Sequence, residues 1–322
     1  MRLSCTLVAM FVTLTAAQAG DLEAADRKAV VDAVIAHLET DYVEPEAGRR
    51  GAQRLRRAFA ARQLTMQQGD AFAGQLTKML RDSTGDGHLT VEYSAQVLSD
   101  SEAADSEFTE QEMQRYYGAQ VNFGVNKAER LDGNIGLLEL TVFPPADMGG
   151  NTIAAAMQVV AHTDALIIDL RNNGGGSDTV SLVASYLFDT QQPLSGIYDR
   201  TRDHLQQSYT QSYVPGARFG ATKPVFVLIS KRTFSAAEAL AYDLQALKRA
   251  TIIGQPSGGG AHPFTYRRVH PHFVLWAVTE KSVNPITGKN WQDTGVQPDV
   301  LVEPSRAMEK ALELIRQSLT AR

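Results

Sequence analysis

The sequence is nearly free of cysteine, because its single copy, Cys5, lies within the first residues of the chain. The remainder of the chain therefore cannot form disulfides, a cysteine nucleophile or a thiolate metal site. A cysteine-free chain also suits an oxidising compartment, where a stray thiol is a hazard. Long apolar runs are missing as well, so no segment beyond the first residues predicts a transmembrane helix.

A strong excess of charge is absent too. The formal net charge is -5 over 322 residues, of which 43% are hydrophobic and 21% charged. This is ordinary globular composition, and the length suits one large domain plus a small one. Mild acidity gives no electrostatic reason to expect nucleic acid or an anionic membrane surface as a partner.

The first twenty residues have the pattern of a secretory signal. Arg2 provides the positive charge, residues 7–14 form a short apolar core, and Ala17-Gln18-Ala19 is a small-x-small cleavage site before Gly20. A membrane anchor is the weaker interpretation, because the apolar run is too short to span a bilayer. We therefore expect residues 1–19 to be removed and the protein to be secreted or periplasmic.

Three regions follow the signal. Residues 20–92 carry apolar stripes at helical spacing and predict a small helical N-terminal domain that ends in a strand beginning at His88, residues 88–93. Residues 93–116 are acidic and poor in large apolar residues, which predicts a polar linker or surface loop. Residues 117–322 alternate strands with helices and predict an α/β core.

Ser235 lies where a buried strand, residues 225–229, leads into a helix. One interpretation is structural: Ser235-x-x-Glu238 is a capping box, and helix caps are common. The other is catalytic, since α/β folds place their sites at the carboxyl ends of strands. The Ala236 N–H, in the first turn of the helix, is then free to bind an oxyanion.

A glycine-rich loop, Asn172 to Gly176, follows another buried strand, residues 165–170. Neither GxGxxG nor GxxxxGK is present, so a nucleotide site is not indicated. The loop is either a tight strand–helix turn or the source of a second oxyanion N–H, from Gly174 or Gly175.

The candidate base is a histidine. His88 lies at a turn-to-strand junction, where the backbone can aim its ring, and His262, after Gly258–Gly260, is the second candidate. No histidine pair has the HExxH spacing, so we predict no metal and no organic cofactor.

Eight stretches together resemble the tail-specific and tricorn-core serine peptidases, most closely the interphotoreceptor-retinoid-binding-protein-like branch. They occur in family order: DGHLTVEY, NFGV, GNIGLLEL, ALIIDLRNNGGG, TFSAAEA, RATIIG, GGGAHP and NPITGKNWQDTGVQPDV. The resemblance implies a core of the crotonase/Clp-protease type, a spiral of β-β-α units, without an inserted PDZ domain. It also implies Ser235 as nucleophile, His88 as general base, and the N–H groups of Ala236 and of Gly174 or Gly175 as oxyanion hole.

Two departures from the family pattern matter. Relatives with a Ser–Lys dyad carry the lysine in the loop that is Gln255 to Gly260 here, which contains none. Gln292 stands where a similar pattern has a glutamate that would support the base, and an amide carries no charge to stabilise an imidazolium. Asp86 and Asp293 are the possible substitutes.

The function expected from these features is a serine-type peptidase acting on peptides or proteins through an acyl-enzyme. The alternative is a weakly catalytic or non-catalytic binder of apolar ligands, of the retinoid or fatty-acid type, on the same fold. Hydrolysis of acyl esters would use the same residues.

Overall fold

A computed structural model describes residues 22–98 and 110–320. The predicted signal segment and its cleavage site, and the acidic residues 99–109, lie outside the described residues. The helices, numbered in chain order, are α1 Ala24–Thr40, α2 Pro45–Ala60, α3 Gly69–Thr84, α4 Glu110–Tyr117, α5 Ala146–Val160, α6 Thr179–Ser185, α7 Ala236–Ala246 and α8 Ala307–Thr320. The strands are β1 Val91–Tyr93, β2 Val125–Leu131, β3 Ile135–Leu140, β4 Ala165–Asp169, β5 Pro193–Asp199, β6 His204–Tyr209, β7 Val225–Ile229, β8 Thr251–Gly254, β9 Thr265–His270, β10 Phe273–Ala277, β11 Glu280–Val283 and β12 Val300–Leu301.

The main sheet has six strands in the order β12-β8-β7-β4-β3-β2. All neighbouring pairs are parallel except β2 with β3, which is antiparallel. Strands β4 and β7 are buried along their whole length because helices cover both faces of the sheet, as parallel sheets require. The carboxyl ends of these two central strands therefore meet at one edge, which is where the site lies.

Alternation along the strands divides the sheet residues between two cores. Ile168 and Val227 face the core that includes α5, α6 and α7. Ile167 and Phe226, one position earlier, face the core that includes α8. The side-chain period of two thus lets continuous apolar runs bury both of their faces.

The helices α1, α2 and α3 form a third core together with strands from the far end of the chain. Phe72 packs edge-on against Phe273 of β10, and both side chains are fully buried. Strand β1 pairs antiparallel with β10. The helical region is therefore joined to the rest of the molecule by β9 and β10, and the turn before β1 is held over the edge of the main sheet.

Several predicted elements are found where expected, including β7 and β8 with the expected ends. Three differ. Residues 110–117 of the expected linker form the helix α4. Residues 193–209, for which the sequence analysis names no strand, form the hairpin of β5 and β6. The strand after His88 begins only at Val91, so His88 itself lies in a turn.

Candidate active site

Ser235 lies in a strained turn between β7 and α7. Its backbone has φ 51° and ψ −121°, a conformation that costs a non-glycine residue on the order of 1–3 kcal/mol. The turn is held by hydrogen bonds to the end of β4: Thr233 Oγ1 donates to Leu170 O at 2.8 Å and Ser230 Oγ to Arg171 O at 2.6 Å. Surrounding contacts thus fix a hydroxyl at the N-terminus of a helix.

Glu238 connects this turn to the glycine-rich loop after β8. Its buried carboxylate accepts the Ser235 N–H at 2.8 Å, completing the capping box, and the Gly260 N–H at 2.9 Å. The other oxygen accepts the Ser257 hydroxyl at 2.5 Å and the Gly259 N–H at 2.7 Å. Burial raises the pKa of Glu238, while these four hydrogen bonds act in the opposite direction. The sequence identified the cap but not the link to the second loop.

Asn173 shapes the other side of the site. Its side chain, fully buried, donates to Leu140 O at 3.1 Å and accepts the Gly175 N–H at 2.8 Å. Its carbonyl accepts the Phe234 N–H at 3.0 Å. One side chain therefore ties the glycine loop to β3, and its backbone ties the loop to the turn that carries Ser235.

The oxyanion-hole prediction needs one correction. The Gly175 N–H already donates to Asn173, so it is not available to an oxyanion. Gly175 instead allows close approach: at φ 108°, a Cβ there would lie 2.7 Å from Ser235 Cβ. Within the described residues, the N–H groups of Gly174 and Ala236 make no hydrogen bond. These two groups remain the candidate donors.

His88 is buried in the turn after α3, with only 4% of its surface exposed. Its ring lies 4.8 Å from the Phe234 ring and 5.7 Å from the Phe264 ring, centroid to centroid. The Nδ1 atom has no hydrogen-bond partner and lies 3.6 Å from Asp86 Oδ1, which is longer than a hydrogen bond. The ring is thus placed by packing, with a carboxylate close behind it.

Asp86 is fully buried and binds more than one partner. Its Oδ1 accepts the His88 backbone N–H at 2.9 Å. Its Oδ2 lies 2.7 Å from His262 Nδ1 and accepts the Tyr42 hydroxyl at 3.1 Å. Burial alone raises the pKa of Asp86, but the hydrogen bond with His262 and the proximity of both imidazole rings outweigh it and hold the pKa well below its usual range. Asp86 is therefore a buried carboxylate shared by two histidines.

Gln292 contacts neither histidine ring through a hydrogen bond. Its Oε1 accepts the Ala261 N–H at 2.8 Å and its Nε2 donates to Asp293 Oδ1 at 2.9 Å. Asp293 is itself directed toward the backbone at Gly85, where a Cβ would lie 2.9 Å from its Oδ1. Of the two carboxylates proposed to replace the expected acid, Asp86 is the one beside His88.

A cavity of about 1180 Å³ brings the predicted residues together. Ser235, Ala236, Gly174, His88 and His262 all line it, whereas Gly175 and Gln292 do not. The rest of the lining is rich in aromatic side chains: Tyr117, Phe234, Phe264, Tyr266, Trp276 and Trp291. Phe264 stacks on Trp276 with centroids 4.4 Å apart and an interplanar angle of 9°.

Two properties of residues 22–98 and 110–320 bear on metal binding and on membrane insertion. These residues contain no cluster of three or more His, Cys, Asp or Glu side chains that could hold a metal ion. Within the same ranges, no helix has both the length and the apolar character needed to cross a bilayer.

The mainly parallel sheet, with the Ser235 turn at the carboxyl edge of its central strands, defines an α/β core of the crotonase/Clp-protease class. The profile of Peptidase family S41 matches residues 134–302, a little over half of the chain. The chain belongs to this family. The matched range includes Ser235, Gly174 and Ala236, whereas His88 and Asp86 precede it.

Individual relatives agree with this assignment. The tail-specific protease of Haemophilus influenzae is 37% identical over 99 residues, 30% of this chain and 13% of that protein. The carboxy-terminal-processing protease of Bartonella bacilliformis is 30% identical over 180 residues, 54% of this chain and 40% of that protein. The chain thus spans less than half the length of these curated relatives.

The fold itself is shared with solved structures. A crystal structure of a protein from Parabacteroides merdae matches with a TM-score of 0.60 at 18% identity, covering 90% of this chain and 96% of that one. Similarity at this level of identity concerns the fold, and the predicted α/β core of the Clp type is confirmed.

Proposed function

We propose that this protein is a serine peptidase that cleaves peptide bonds through an acyl-enzyme on Ser235. The observation that carries the proposal is the strained turn of Ser235, which lies at a helix N-terminus and lines the cavity together with His88 and Gly174. Strain of this kind persists only where surrounding contacts impose it, and it concentrates at functional sites.

The proposed chemistry assigns a role to each group. Ser235 Oγ attacks the substrate carbonyl carbon while His88 takes the hydroxyl proton. The N–H groups of Gly174 and Ala236 stabilise the oxyanion, and His88 then returns the proton to the leaving amine. In the second half, His88 takes a proton from water, whose oxygen attacks the acyl carbonyl carbon; the bond to Ser235 Oγ breaks, His88 returns the proton to Oγ, and the acid is released. Asp86 stabilises the imidazolium form of His88, which makes Gln292 unnecessary as an acid.

The substrate class and the location of the protein belong to the same proposal. The substrate is a peptide or protein, since the family and the two curated relatives are named for peptidase activity. The secreted or periplasmic location and the division into residues 20–92, 93–116 and 117–322 remain proposals from the sequence.

Binding of an apolar ligand is the second candidate function. The aromatic wall of Phe264, Tyr266 and Trp276 favours it, because a large cavity with such a lining suits a long apolar molecule. The two functions make different predictions for turnover. A carrier binds a fluorescent fatty acid or retinoid tightly and hydrolyses neither peptide nor ester.

A fluorophosphonate probe tests the peptidase proposal. The wild-type protein should be labelled and should hydrolyse a peptide library, and the Ser235→Ala variant should do neither. Undiminished labelling of Ser235→Ala would refute the assignment of the nucleophile. The matched control is Ser212→Ala, an exposed serine in a loop away from the cavity, which should be labelled like the wild type.

A further inference from the structure

His262 is a buried titratable residue to which the proposed mechanism assigns no part. It is 2% exposed and lines the cavity. Because Asp86 is ionised and can only accept, the Nδ1 atom of His262 must carry the proton of their 2.7 Å hydrogen bond. In neutral His262, the Nε2 atom is then an unprotonated acceptor, and it is buried without a partner.

The two oxygens of Asp86 have separate partners. Oδ2 receives His262 and the Tyr42 hydroxyl, whereas Oδ1 receives only the His88 main chain and faces the His88 ring. Rotation of the carboxylate would break the hydrogen bonds at Oδ2, so Oδ1 is held 3.6 Å from His88 Nδ1. A small movement of the ring closes this distance to a hydrogen bond when His88 becomes charged.

We propose that His262 is a positioning residue of the active site, which anchors Asp86 through Oδ2 so that Oδ1 serves the general base His88. The inference rests on the proposed peptidase function and adds to it. His262 thereby supplies the orientation that a glutamate at position 292 would otherwise provide.

The loop that carries His262 is itself fixed on both sides. Glu238 holds the N–H groups of Gly259 and Gly260, and Gln292 holds that of Ala261. Gln292 therefore acts on the loop rather than on the base. An amide suffices there, because a backbone N–H needs an acceptor and not a charge.

Titration of Asp86 gives the proposal a pH signature. The titratable groups that surround it are His88 from its own turn, Tyr42 from the segment after α1, and His262 from the loop after β8. Asp293 approaches the same turn at Gly85. Without His262, burial of Asp86 is opposed by fewer hydrogen bonds, so its pKa rises and the carboxylate is lost at a higher pH. The acid limb of kcat/KM should then move to higher pH.

Two variants at one position separate positioning from packing. In His262→Asn, the amide N–H can replace the Nδ1 donor, and we expect kcat to stay within about 3-fold of the wild-type value. In His262→Leu, which fills similar space without a donor, we expect kcat to fall about 10- to 100-fold at unchanged KM. The acid limb should shift only in His262→Leu.

If His262→Leu does not fold, Tyr42→Phe provides a second test of the anchoring of Asp86. It removes the second donor to Oδ2 and keeps the ring, so we expect a smaller fall in kcat, about 2- to 10-fold. Proton NMR provides a readout independent of activity: a far-downfield Nδ1–H resonance should be present in the wild type and in His88→Ala, and absent from His262→Leu.

The outcomes separate the two proposals. If wild-type Ser235 does not react with fluorophosphonate, the peptidase function fails. If it reacts and His262→Leu matches the wild type in kcat and in acid limb, the positioning role is refuted. Equal losses of kcat in His262→Asn and His262→Leu would also refute it, because the loss would then not depend on the hydrogen-bond donor to Asp86.

Discussion

Gly175 provides a test of how closely the glycine loop is fitted to Ser235. In Gly175→Ala, the new Cβ would lie 2.7 Å from Ser235 Cβ, 2.9 Å from Phe234 O and 3.1 Å from Ala236 N. The first two distances are shorter than real Cβ contacts, and two of the three neighbours are backbone atoms that cannot turn away. The residue would also have to keep φ 108°, where side chains are strained.

The expected cost combines these two effects. Strain at positive φ costs about 1–2 kcal/mol and overpacking about 1–3 kcal/mol, so Gly175→Ala should reduce the free energy of unfolding by about 2–5 kcal/mol. Displacement of the Ser235 turn should also slow fluorophosphonate labelling at least about 10-fold, because catalysis is sensitive to small misplacements.

Gly174→Ala is the matched control for stability. A Cβ at this neighbouring position meets nothing within 4 Å, and its φ lies outside the positive range. Its free energy of unfolding should rise slightly or stay within about 1 kcal/mol of the wild-type value. Urea denaturation of both variants measures the difference. Equal stability of the two variants would contradict the close approach of Gly175 to Ser235.

Two further predictions concern buried groups with defined partners. Glu238→Gln replaces one carboxylate oxygen by an NH₂ group that faces two hydrogen-bond donors. Urea denaturation should therefore show a loss of about 3–5 kcal/mol in the free energy of unfolding, against less than about 0.5 kcal/mol for the exposed control Glu303→Gln. A small loss in Glu238→Gln would contradict the four-donor arrangement. Burial, reinforced by the charge of Arg267, lowers the pKa of His37 to about 4, so only the unfolded chain takes up this proton as the pH falls from about 6.5 to about 4. Stability should fall by about 3 kcal/mol over that range. His37→Asn should remove this part of the pH dependence and exposed His204→Gln should not, and an unchanged slope in His37→Asn would refute the assignment.

The elements that could be predicted from the sequence are those in which consecutive apolar residues indicate burial. Strands β4 and β7 are apolar except for Asp169 at the end of β4, and both lead into turns, so their limits could be predicted to within one residue. Helix α4 has no buried residue and strand β6 is largely exposed, so their polar segments carry no pattern of apolar residues from which a helix or strand could be predicted.

The candidate site was predictable as a set of residues but not as a set of hydrogen bonds. Ser235 and Gly174 follow neighbouring strands, which indicates a common edge. The Gly175 N–H donates a hydrogen bond to the Asn173 side chain, and this bond depends on the rotamer of Asn173. The bond between Asp86 and His262 joins residues 176 positions apart, and no local pattern indicates it.

The mass of the acyl-enzyme intermediate tests the assignment of Ser235 as nucleophile most directly. The protein is mixed with an activated ester of a short peptide, quenched in acid within the first turnover, digested and analysed by mass spectrometry. We expect the acyl group on the peptide that contains Ser235, accumulating in the wild type and absent from Ser235→Ala. Turnover of the ester by wild type and Ser235→Ala alike, or an acyl group on another residue, would contradict the assignment of Ser235.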